Sequence, residues 1–119
     1  MPIATYERGK NMKIADVVPN LKKFVESVSH QLPDNLDKII VFGSYARGEA
    51  KVSSDLDLAL VSDGTGMVDK WAVADVLDNF NECLKMSFFC TNQEKIDSEQ
   101  HKLNANYWIR EEGELIWVR

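Results

Sequence analysis

Between residues 14 and 28 the apolar side chains recur every three or four positions, as Ile14, Val17, Val18, Leu21, Phe24, Val25 and Val28. That spacing is the stripe of an amphipathic helix. Asp16 can cap it, which puts Pro19 in the first turn, where a missing N–H breaks no intrahelical bond, and Pro33 just past the far end. At Ile39-Ile-Val-Phe42 the rhythm gives way to an unbroken apolar run that stops at Gly43, the pattern of a buried strand. A turn at Gly43-Ser44 leads into a brief helix over 44–48. Residues 49–54 are a polar loop, 55–61 a second strand, and the Gly-rich segment 62–66 closes it. Val68, Trp71, Ala74, Leu77, Phe80 and Leu84 then return to a spacing of three or four and predict a second long helix with Trp71 on its core face. A third strand is predicted at 86–90. Residues 91–100 read as a polar connection. Residues 107–112 lead into Gly113 as a helix-ending glycine, and 115–118 could pair as an edge strand.

These elements imply one α/β domain over residues 13–119: a small mixed sheet of three strands, plus the edge strand, flanked by helices. The helix of about fifteen residues between the second and third strands has the length of a crossover, so that pair should be parallel. Residues 1–12 show no apolar period and read as a flexible arm. A chain of 119 residues suffices for one core and not for two ordinary domains. No internal repeat or low-complexity tract divides it.

Composition narrows the classes of function. With 45% hydrophobic and 28% charged residues the chain is near the globular average, and no apolar run reaches membrane-spanning length. The first residues lack the apolar core and cleavage site of a secretory signal, so a cytoplasmic location is expected. Cys83 and Cys90, with six residues between them, fit neither a zinc spacing nor a disulfide framework and read as reduced thiols. A formal charge of −5 argues against nucleic acid as a partner, because polyanion binding needs clustered cations. A single triphosphate carried with Mg²⁺ remains compatible, since the metal brings the positive charge to the site.

The candidate chemistry lies where the first two strands meet. Asp55 and Asp57, two positions apart, put both carboxylates on one side of a strand. Such a pair repels unless a cation sits between, and oxygen donors suit Mg²⁺ or Mn²⁺. An isolated Asp-x-Asp at a strand start is usually a solvated turn. Here it is accompanied by Gly43, which permits a sharp turn, and by Ser44, whose hydroxyl and free first-turn N–H groups can hold phosphate oxygens. For both groups to act on one triphosphate, the first two strands must be antiparallel. Arg47 shares Ser44's helical face and either reaches the β or γ phosphate or is a solvated surface arginine. Lys51, Ser53 and Ser54 occupy the same loop, where Ser54 could bond Asp57. His30 and His101 lack partners at ligand spacing. For Tyr107, Trp108 and Trp117 core packing is the default reading, and an aromatic partner interface the sharper one.

The string Phe42-Gly43-Ser44, ten intervening residues, then Asp55-Leu-Asp57-Leu resembles the signature of the DNA polymerase beta superfamily of nucleotidyltransferases. Over roughly Ile14 to Val118 the chain is similar to the minimal nucleotidyltransferases encoded beside small helical HEPN-domain proteins in toxin–antitoxin pairs. The resemblance implies an enzyme that uses ATP and Mg²⁺ to transfer AMP to a tyrosine of a HEPN ribonuclease, acting as its antitoxin in a hetero-oligomer. It further implies that Gly43 and Ser44 hold the phosphates and that Asp55 and Asp57 ligate the metal.

One position departs from that pattern. The wider family often carries a third acid on the third strand, and the matching stretch is Met86-Ser87-Phe88-Phe89, with Ser87 in its place. A hydroxyl ligates metal poorly and cannot serve as a base at neutral pH. Glu82 and Asp97 are the nearest acids in sequence, and neither lies in that strand. Two readings follow: a metal-dependent AMP transferase, or a nucleotidyltransferase fold that neutralises a HEPN partner by binding alone. A small-molecule adenylyltransferase would need a further domain for its acceptor, and a template-copying polymerase a nucleic-acid grip.

Overall fold

The computed structural model describes residues 12–119 except Glu82. The arm expected over residues 1–12 lies outside the described residues, apart from Met12, which packs against the core beside the first helix. In chain order the elements are α1 (Ile14–Val28), β1 (Leu36–Phe42), α2 (Ser44–Arg47), β2 (Leu56–Ser62), α3 (Lys70–Leu77), β3 (Met86–Asn92), α4 (Gln93–Ser98), α5 (Ala105–Glu112) and β4 (Glu114–Val118). The four strands form one sheet in the order β3-β2-β1-β4, with β1 antiparallel to β2 and to β4, and β2 parallel to β3. The mixed sheet and its edge strand are those expected from the sequence.

Both faces of the sheet are covered, which explains the continuous apolar runs of β1 and β2. Alternate residues Ile39, Val41, Leu56, Leu58 and Leu60 join α1 and α3 in the larger core. The opposite set, with Ala59 and Val61 fully buried and Ile40, Phe42 and Phe89 packed against them, meets Ile96 of α4 and Ile109 of α5. Asp57 and Ser87 belong to this second set by strand alternation.

The structure corrects several local expectations. α1 begins at Ile14 with Lys13 before it, so Asp16 lies inside the first turn as a favourable charge rather than a cap. Pro19 is accordingly the sixth residue of the helix and not part of its first turn. α3 spans only eight residues, and its buried stripe is Val73, Leu77 and then Phe80 in the following turn, while Trp71 is 72% exposed with Lys70 5.5 Å above its ring. The polar stretch after β3 contains α4, begun by Asn92, whose side chain accepts a bond from the Lys95 N–H. Gly113 ends α5 in extended conformation, φ −66° and ψ 149°, without the left-handed turn. Glycine is required there for space: a Cβ would lie 2.3 Å from the Ile109 carbonyl oxygen and 2.6 Å from Ile40 Cγ2.

Candidate active site

The antiparallel register places Phe42, the last residue of β1, opposite Asp57 on β2. Gly43 then turns the chain at φ 76° and ψ −151°, a region essentially reserved for glycine. A Cβ on Gly43 would lie 2.3 Å from Asp57 Oδ2. The missing side chain is therefore the space into which the Asp57 carboxylate packs, and the glycine serves the turn and the carboxylate together.

Ser44 opens α2, whose first-turn N–H groups have no intrahelical acceptors. The left-handed Gly48 closes that helix, its N–H bonding the Ser44 and Tyr45 carbonyls. Asp55 is exposed and stands one residue before β2, while Asp57 is half-buried within it. Burial first, and then the neighbouring Asp55 charge, push the Asp57 carboxyl above the ordinary carboxylate range, and Arg47 pulls it back down. Arg47 lines the same groove with its guanidinium engaged by two carboxylates, Nε 2.9 Å from Glu49 Oε1 and Nη1 2.8 Å from Glu112 Oε1. The second of these bonds ties α2 to α5. Ser54 does not bond Asp57 but accepts from the Lys51 N–H at 2.8 Å, fixing the loop ahead of Asp55.

Among the described residues no cluster of three or more His, Cys, Asp or Glu could form a metal cage. Two carboxylates nevertheless suit Mg²⁺, which commonly takes one or two acidic ligands and completes its shell with water and substrate phosphate. A cation there would favour the ionised form of the Asp57 carboxyl, which burial and then the Asp55 charge disfavour. Ser87 pairs with Asp57 across the parallel strands and is exposed, so a hydroxyl stands on the strand position beside the carboxylate. Asp97 accepts a bond from Gln93 Nε2 at 2.8 Å on α4 and does not line the groove; Glu82 lies outside the described residues.

Gly43, Ser44, Arg47, Asp55 and Asp57 line one wall of a groove of about 630 Å³. A second part of its lining is Lys102, Leu103, Ala105 and Trp108, from the α4–α5 connection and α5. Sequence reading did not find this part. Its only signal was the aromatic cluster near the C-terminal end, for which core packing was the default; Trp117 is buried as expected, but Trp108 is 38% exposed. His101 helps to shape the connection, its Nδ1 accepting from the Leu103 N–H at 3.1 Å.

The nucleotidyltransferase domain model matches residues 21–114. Two proteins of Methanocaldococcus jannaschii, both named "Putative protein adenylyltransferase", are similar. One is 33% identical over 67 residues, covering 56% of this chain and 68% of the relative. The other is 42% identical over 43 residues, covering 36% of this chain and 43% of the relative. A "putative nucleotidyltransferase" from Sulfolobus solfataricus aligns over 93% of this chain and 92% of its own, with TM-score 0.51 and 22% identity. A structure described as a toxin-antitoxin with AMP-PNP aligns over 84% of this chain and 74% of its own, with TM-score 0.53 and 21% identity. At those identities the two structures speak for the fold. The glycine-serine turn seated against the Asp57 carboxylate is thus found in a chain that belongs to the nucleotidyltransferase domain family.

Proposed function

We propose that this protein transfers AMP from ATP to a hydroxyl of a protein, and that the acceptor is a tyrosine of a HEPN-type ribonuclease which it thereby silences as an antitoxin. The observation that carries the reading is the seat of Asp57 against Gly43, which brings a phosphate-binding turn and a carboxylate pair to one end of one groove. The relatives named for protein adenylylation support a protein acceptor, and the toxin-antitoxin structure with AMP-PNP supports both a toxin partner and an adenine nucleotide.

In this reading the Ser44 hydroxyl and the first-turn amides of α2 hold non-bridging phosphate oxygens. Lys102 lines the groove as a cation that offsets triphosphate charge, and Arg47, already paired with Glu49 and Glu112, would reach a phosphate only by releasing one of them. Asp55 and Asp57 would hold Mg²⁺ or Mn²⁺, which neutralises charge gathering on the phosphate oxygens as transfer proceeds. The acceptor oxygen attacks the α-phosphorus in line, its O–P bond forming as the bond to the β-phosphate oxygen breaks, so that pyrophosphate leaves and the hydroxyl proton passes to a base. The groove is broad enough for a partner's side chain to enter, and the partner completes the acceptor site. We place the protein in the cytoplasm, where thiols such as those of Cys83 and Cys90 stay reduced, and the charge of −5 supports a partner other than nucleic acid; no helix among the described residues is long and apolar enough to cross a membrane.

Ser87 sustains a second reading. With a hydroxyl beside Asp57 and no third acid clustered among the described residues, the protein would neutralise its partner by binding alone. Labelled ATP separates the two. In the first reading label from the α-phosphate, and not the γ-phosphate, appears on the partner, ATP binding strengthens with Mg²⁺, and Asp55→Asn with Asp57→Asn abolishes both transfer and neutralisation. A folded double variant that still neutralises its partner as well as the wild type leaves masking as the function.

A further inference from the structure

We propose that the indole of Trp108, with Leu103 beside it, is the platform on which the base of the bound nucleotide stacks. The inference rests on the nucleotidyl-transfer reading and adds which residues meet the base. The groove that holds Gly43, Ser44 and the carboxylates is lined as well by an aromatic and an aliphatic side chain, Trp108 and Leu103. Its volume of about 630 Å³ falls within the range of sites that enclose a whole drug-sized ligand, more than a triphosphate chain fills by itself.

Trp108 is prepared for a flat apolar ligand. Its one polar atom is already used: Nε1–H donates to the Lys102 carbonyl at 2.6 Å, which leaves the ring face as the surface on offer. The ring is also held in place, edge-on to Tyr107 at 5.0 Å, while Tyr107 carries the Arg110 guanidinium 5.2 Å from its centre. Arg110 in turn donates to the Ile96 and Glu99 carbonyls, each at 2.7 Å, and fastens α5 to α4. Leu103, 90% exposed on the same wall, is apolar surface that a base would cover. Stacking uses the π-face common to all bases, so the platform implies weak discrimination among them.

The test measures the affinities of Mg·ATP and of Mg·tripolyphosphate, which lacks base and ribose, for the full chain by calorimetry. Base–aromatic stacking predicts that Trp108→Ala weakens ATP binding about 5- to 150-fold, leaves tripolyphosphate unchanged, and is largely rescued by Trp108→Phe. Trp71→Ala, an exposed tryptophan that does not line this groove, changes neither. The proposal is overturned if Trp108→Ala leaves ATP affinity intact, including the case in which it raises KM for the acceptor protein instead, since the indole then docks the acceptor. Equal weakening of both ligands also overturns it, showing that Trp108 only supports the wall. If Mg²⁺-dependent ATP binding is untouched by Asp55→Asn with Asp57→Asn, the nucleotidyl-transfer reading itself fails, whatever Trp108 does.

Discussion

Replacing Gly43 by alanine should damage the protein in two separable ways. A residue with a side chain at φ 76°, ψ −151° carries backbone strain of about 1–3 kcal/mol. The new Cβ also falls 2.3 Å from Asp57 Oδ2, and since an ordinary carbon–oxygen contact is about 3.3 Å, the carboxylate must retreat by about 1 Å. A displacement of that size at a reacting centre costs about 100-fold in rate, so AMP transfer should fall at least that far. Ser44→Ala adds no atom and should lose one hydroxyl contact only. The two costs separate in a double-mutant cycle with Asp57→Ala, because Asp57 Cβ lies 3.5 Å from the added methyl and remains in ordinary contact. Denaturant unfolding of the four proteins should show Gly43→Ala costing less in the Asp57→Ala background, with a coupling of about 0.5–3 kcal/mol. Equal costs in both backgrounds would refute the contact between turn and carboxylate, and with it the account of why glycine stands there.

Three further outcomes follow from the same structure. Asp57→Asn should raise the melting temperature near neutral pH: the folded-state carboxyl is lifted, so its ionised form costs stability above that raised value, and the gain should fade as pH drops through it towards 3.8 and below, as melting curves across pH would show. Ser87→Asp sets a third carboxylate beside Asp57, so it should lower the melting temperature in chelator, recover it with Mg²⁺, and raise AMP transfer; inert or harmful substitution would mean that another group takes the acceptor's proton. In denaturant titrations Phe80→Ala should cost about 3–5 kcal/mol, because its ring is fully buried and 5.4 Å from that of Phe24, whereas Trp71→Ser should stay within about 0.5 kcal/mol.

The turn and the sheet were legible in sequence because each is enforced locally. An apolar run ending in glycine has few alternatives, and carboxylates two apart on a strand must share a side. The phase of α3 was not legible. In an eight-residue helix a spacing of three or four fits two stripes, Trp71 with Ala74 or Val73 with Leu77, and the bulk of tryptophan favours the wrong one until tertiary packing decides. Pro19 was misplaced because Asp16 offers a good cap, whereas the cap position is Lys13, three residues earlier, with no side-chain cap bond at all. α4 carries a single buried apolar residue, Ile96, too little to make a period. The groove's second wall was hidden for another reason. Lys102, Leu103 and Trp108 join the Gly43 turn in one groove through the docking of α5, held by the buried bond between Thr91 and Asn106, by Ile109 and by the Arg47–Glu112 pair, all distant in sequence.

Gly113 gives that docking a further meaning. With the Ile109 carbonyl on one side and the Ile40 methyl on the other, the bare Cα sets how closely the end of α5 can approach β1. The approach of α5 to the sheet, and with it the place of Trp108, thereby depends on a residue outside the groove lining. Any side chain at 113 would have to displace the last turn of α5 or the Ile40 methyl beside it, so the seating of α5 on the sheet is sensitive to this one position. The helix that carries Trp108 into the groove is thus seated by a residue that does not itself line it.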